Sequence, residues 1–113
     1  MKTHTAGMVS KVAAAAVCLA LTSMSSRASS DVSETIVVKD FMFQPTSSTV
    51  KAGTTVTWLN RDDEPHTVVS DNGLFRSAAM DTNESFSFEF DQPGTYHFVC
   101  SIHPSMVGTI VVQ

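Results

Sequence analysis

The sequence predicts an all-β sandwich, and three observations predict it. Short runs alternate apolar and polar residues with a period of two. Glycine- and proline-bearing turn signals separate those runs at the spacing of a sandwich. No stretch beyond residue 28 carries a helical period of useful length.

Taken in order, Thr35-Ile36-Val37-Val38-Lys39 is rich in β-formers and reads as the first strand. The Ala52-Gly53 turn leads into a run in which Val56 and Trp58 alternate with Thr55, Thr57 and Leu59. Asp71-Asn72-Gly73 is a second turn, because glycine accepts positive φ without steric cost. Ser77-Ala78-Ala79-Met80 is the one place where a helical turn is expected. Phe86, Phe88 and Phe90 then alternate with Ser85, Ser87 and Glu89, which puts three rings on one face. After the turn at Gln92-Pro93-Gly94, Tyr96, Phe98 and Cys100 share a face, with His97 and Val99 opposite. Ile110 and Val112 close the chain. The three phenylalanines and Trp58 are expected to form the core, and His97 to lie on the surface.

The N-terminus reads differently. Lys2 and Lys11 precede an apolar run from Val12 to Leu21, and small and polar residues follow as far as Ser26-Arg27-Ala28. That pattern is a secretory signal peptide over residues 1–28, leaving residues 29–113 as one domain. The apolar run is too short to span a bilayer, which takes about 20 residues, so no membrane span is expected in the mature chain. Cys18 raises lipidation as an alternative to plain cleavage, but Val17 stands where lipoprotein signals carry a small residue. Removing residues 1–28 takes away three basic residues and no acidic one. Four basic residues then face eleven acidic ones, a formal charge of −7. So acidic an exported domain is a poor match for nucleic acid or an anionic membrane, and suits a partner protein with a basic patch.

Only Cys100 remains in the mature chain, so no internal disulfide can staple a domain this small. A single thiol in an oxidising compartment is either buried and inert, or committed to a metal or to chemistry. The segment around it is C-x-x-H-x-x-M: Cys100, His103 and Met106, directly after a strand. A second histidine stands upstream in Glu64-Pro65-His66-Thr67. Taken singly, Cys100 would be a small core residue, each histidine a surface residue and Met106 core filler. Together they are a thiolate, two imidazoles and a thioether, the set of a blue-copper electron-transfer site with a weak axial methionine. Zinc fits less well, since a thioether is a poor zinc ligand and the spacing matches no zinc finger.

With those residues in view, residues 34–113 resemble the cupredoxin family. Thr54-Thr55-Val56-Thr57-Trp58-Leu59-Asn60-Arg61 followed by Pro65-His66 is similar to the amicyanin segment entering its first copper histidine. Gly94-Thr95-Tyr96-His97-Phe98-Val99-Cys100 resembles the strand shared by amicyanin, plastocyanin and pseudoazurin. The two residues between His103 and Met106 match amicyanin, whereas the other two have a longer gap. Met106 to Val112 is similar to the family's last strand. The resemblance implies a Greek-key, cupredoxin-like sandwich of about seven to eight strands. It implies one type 1 copper cycling between Cu(I) and Cu(II), with His66, Cys100 and His103 equatorial and Met106 axial. It further implies a periplasmic, monomeric carrier of single electrons between transient redox partner proteins. Thr67 departs from the family, which places Asn after the first histidine, and a link from Thr67 to Ser101 is expected in its place. Phe43, Pro104 and Met106 are expected to keep water from the metal, with the edge of His103 as the exit for electrons. Catalysis is not expected, because only His97 is left to build a second copper centre. Periplasmic copper carriage or sequestration is the alternative function.

Overall fold

The computed structural model describes residues 32–113 together with Thr3. The leader expected over residues 1–28, with Cys18, otherwise lies outside the described residues. Eight strands form: β1 (Ser33–Lys39), β2 (Met42–Gln44), β3 (Ser47–Val50), β4 (Thr54–Asn60), β5 (Val69–Ser70), β6 (Ser85–Phe90), β7 (Gly94–Val99) and β8 (Val107–Val112). They make two four-stranded sheets, ordered β2-β1-β4-β6 and β3-β8-β7-β5. β1 runs parallel to β4 and β3 parallel to β8, while the remaining pairs are antiparallel. The chain changes sheet after β2, β3, β4, β5 and β6, so both layers are built from distant parts of the sequence.

The core lies between the sheets, and the strand alternation puts it there. Along β4, Thr54, Val56, Trp58 and Asn60 are buried and the residues between them are half-buried. Trp58 is fully buried, with ring centroids 5.3 Å from Phe98, 5.5 Å from Phe75, 5.8 Å from Phe86 and 6.3 Å from Phe90. Phe90 is buried as expected, but Phe86 and Phe88 only half so. β6 is an edge strand, with no further strand beyond it among the described residues. No helix occurs among the described residues. The helical turn expected over residues 77–80 is instead extended chain. Ser77 N–H donates to Val68 O at 2.8 Å, and His66 and Met80 exchange main-chain bonds of 2.8 and 3.1 Å. These tertiary bonds outweigh the local preference of small residues for a turn.

Three connections meet at one end of the sandwich. They are the two-residue turn between β1 and β2, the segment following β4, and the loop joining β7 to β8. Residues 40–41, 61–68 and 100–106 therefore come together.

Candidate metal centre

The loop from Cys100 to Met106 is closed twice. His103 N–H donates to Cys100 O at 3.2 Å and Met106 N–H to His103 O at 2.9 Å. Cys100 N–H donates back to Met106 O at 3.0 Å. The C-x-x-H-x-x-M spacing thus becomes two linked four-residue turns. They fold His103 and Met106 back on Cys100 while Val99 and Val107 remain paired across β7 and β8. Met106 is buried and His103 is partly exposed.

His66 reaches the same point from the segment after β4 and is fully buried. Its Nδ1 lies 3.7 Å from the Cys100 Sγ, and the His103 Nδ1 lies 3.6 Å from it. One donor atom from each of the three residues falls within 4.8 Å of the others. Cys100 is fully buried, and burial pushes its thiol up. The Thr67 amide, His66, His103 and the Ile102 amide more than reverse this, bringing it from 9.0 to about 6. The shift favours the thiolate, the form that binds metals. A thiolate flanked by two imidazole nitrogens, with a thioether residue closing the loop, fits a soft metal ion, copper above all.

Thr67 joins the two ligand segments. Its N–H donates to the Cys100 Sγ at 3.3 Å, and its Oγ1 lies 2.7 Å from Ser101 Oγ and accepts from Ser101 N–H at 2.8 Å. The bridge expected between Thr67 and Ser101 is present. His97 is exposed, with its Nδ1 3.1 Å from Thr109 Oγ1.

The apolar surroundings differ in part from expectation. Phe43 is buried but stacks edge-on against Phe98, and Pro104 is exposed. The ring beside the imidazoles belongs to Phe41, which sits edge-on to His66 at 5.3 Å and to His103 at 4.9 Å. No sequence motif marks Phe41. No motif marks Asp62 either, whose carboxylate Oδ2 lies 2.9 Å from His66 Nε2. Burial raises the Asp62 pKa, but bonds from the Phe41 and Asp40 amides and from His66 carry it below the usual carboxylate value. The one hint in the sequence was that Asp62 stands four residues before a candidate ligand.

A family model described as a cupredoxin-like domain matches residues 11–112. The chain is 32% identical to amicyanin-alpha of Methylorubrum extorquens over 83 residues, 69% of this chain and 70% of that protein. It is 40% identical to plastocyanin of Scenedesmus fuscus over 85 residues, 64% of this chain and 87% of that protein. The solved Cu(I) form of a methionine-to-alanine mutant of amicyanin is similar at a TM-score of 0.69 and 31% identity, over 74% of this chain and 84% of that one.

Proposed function

The chain belongs to the cupredoxin-like family, and from that premise we propose that it is an exported blue copper protein carrying single electrons between redox partners. The observation that carries this reading is the meeting of two imidazole nitrogens and a thiolate sulfur within 4.8 Å, two of the three residues buried. His66, Cys100 and His103 would hold copper as the strong donors and Met106 as the weak axial one. The bound metal supplies a one-electron couple, Cu(II)/Cu(I).

The chain's own residues do the rest. Asp62 and the bonds to Met80 hold His66 in place, and Thr67 holds the sulfur. Donors fixed by the fold need little rearrangement when the charge at the centre changes. Phe41 covers both imidazoles on one side. His103 alone among the three donor residues reaches solvent, and it marks where a partner's redox group approaches. Around it Phe41, Met42, Ile102 and Val107 are exposed apolar residues suited to brief docking. The acidic balance of residues 29–113 favours a partner with a basic face. Export rests on the leader pattern of residues 1–28 and implies the periplasm. No described helix is long and apolar enough to cross a membrane. Copper carriage fits less well, because exchange favours open ligands and here Cys100 and His66 are buried.

A visible spectrum tests the reading. Copper(II) loading is expected to give one equivalent per chain and an intense blue colour arising from the Cys100 thiolate. Cys100→Ser is expected to lose that colour while keeping a β-rich circular dichroism spectrum. Colour retained in Cys100→Ser would overturn the assignment, and copper held only as a colourless, redox-silent ion would favour carriage.

A further inference from the structure

We propose that Asp62 is the positioning residue of this centre: its carboxylate holds His66 with Nδ1 toward Cys100 and fastens that imidazole to the turn carrying Phe41. The inference rests on the copper reading and extends it to a residue outside the ligand set.

Asp62 is almost wholly buried, with 7% of its side chain exposed. Its Oδ1 accepts from Asp40 N–H at 2.7 Å, and its Oδ2 accepts from Phe41 N–H at 3.0 Å and lies 2.9 Å from His66 Nε2. Its own N–H donates to Asn60 Oδ1 at 2.9 Å, and Asn60 Nδ2 donates to Glu64 O and Met80 O at 2.8 and 2.9 Å. The carboxylate is thus held from behind by β4 and faces three donors. An acceptor-only group at Nε2 requires the proton there, which leaves Nδ1 free for a metal.

The turn supplies the second argument. Asp40 and Phe41 have φ of 54° and 56°, the left-handed pair that a two-residue hairpin turn demands and that glycine or asparagine usually fills. A phenylalanine there is strained, because in the left-handed region its Cβ crowds the following carbonyl oxygen. The amides of both turn residues, Asp40 and Phe41, end on the Asp62 carboxylate, and the Phe41 ring lies edge-on to both imidazoles. One carboxylate therefore sets the orientation of the buried ligand and the place of the ring that covers it. Its negative charge beside His66 also favours the more highly charged state of a metal on that ring.

The test compares the full chain as wild type, Asp62→Asn and Asp62→Glu. The proton on the His66 ring is read by nitrogen-resolved NMR in the metal-free and copper(I) forms, and the potential by reversible redox titration. An amide offers one acceptor to three donors. Asp62→Asn is therefore expected to expose the His66 Nε2–H to solvent exchange and to weaken copper(II) binding by about 10–100-fold. Copper(I) binding falls less, so the potential rises, by about 59 mV for each tenfold difference between the two losses. Asp62→Glu keeps the charge and restores part of both readouts. An unchanged potential with a protected Nε2–H in Asp62→Asn would overturn the proposal, as would an Asp62→Glu no nearer to wild type. If Asp62→Asn does not fold, the wild-type ring proton decides: fast exchange of Nε2–H overturns the proposal and slow exchange upholds it. A wild type that binds no copper would remove the copper reading, while the ring proton of the metal-free chain still judges Asp62.

Discussion

His66 and His103 turn the same ring nitrogen toward the same sulfur, at 3.7 and 3.6 Å, from opposite kinds of structure. His66 is fully buried, paired through its main chain with Met80 and through its far nitrogen with Asp62. His103 is partly exposed on a loop closed by main-chain bonds, with Phe41 against its ring. Burial and side-chain bonding, rather than ligand chemistry, separate an anchor from a contact surface. One imidazole ties the site to the sandwich, and the other is the one open to solvent.

The largest effect expected from this contrast comes from deleting each ring. His66→Gly and His103→Gly are both expected to lose the blue colour of the copper(II) protein. Free imidazole added to His103→Gly can enter from solvent, and the colour is expected to return. In His66→Gly it is not expected to return, since the gap is closed over. That variant also leaves the buried Asp62 carboxylate short of a partner, an additional cost of about 1–3 kcal/mol. Equal rescue of the two variants would erase the distinction between anchor and surface.

The sulfur is where the two segments meet, and pH sharpens that point. Thr67 and His66 from one segment, with His103 and Ile102 from the other, lower the Cys100 thiol from 9.0 to about 6 in the metal-free protein. The folded value lies below the unfolded one, so the unfolded chain binds the proton more readily. Stability from this group is therefore complete above about 9, and is lost as the pH falls toward about 6. Between those values the thermal midpoint of the metal-free protein is expected to climb with pH more steeply in wild type than in Cys100→Ser. Parallel curves would mean that the donors do not act on the sulfur.

Much of this arrangement was legible in the sequence, and the parts that were not share a physical reason. β4, β6, β7 and β8 declare themselves by alternation, because each buries one face against the other sheet. β2, β3 and β5 are two to four residues long and exist through their partners, so no local period reveals them. The Cys100–Met106 loop was readable because its chemistry is packed into seven residues. Asp62 was not. It stands in Asp62-Asp63-Glu64, a run that looks like solvated surface, and only tertiary contacts bury Asp62 while Asp63 and Glu64 stay exposed. Phe41 was equally hidden, since its position follows from a left-handed turn that its own side chain disfavours.

The smallest effect tests the tie between the two segments apart from the sulfur. Thr67 Oγ1 bonds both the hydroxyl and the amide of Ser101, at 2.7 and 2.8 Å. Thr67→Val keeps the shape and the amide bond to the Cys100 Sγ, and removes those two contacts together with the longer 3.8 Å contact of the Thr67 hydroxyl to that sulfur. Ser101 is exposed, so water can replace part of what is lost, and the expected cost is about 1 kcal/mol. Ser101→Ala removes the hydroxyl contact alone and is expected to cost less, because its amide can still donate to Thr67. Denaturant midpoints of the copper-loaded proteins should therefore rank wild type above Ser101→Ala above Thr67→Val, with the colour unchanged in all three. If all three midpoints coincide, the hydroxyl bridge adds nothing, and the buried and exposed halves of the site are joined through the Cys100 sulfur alone.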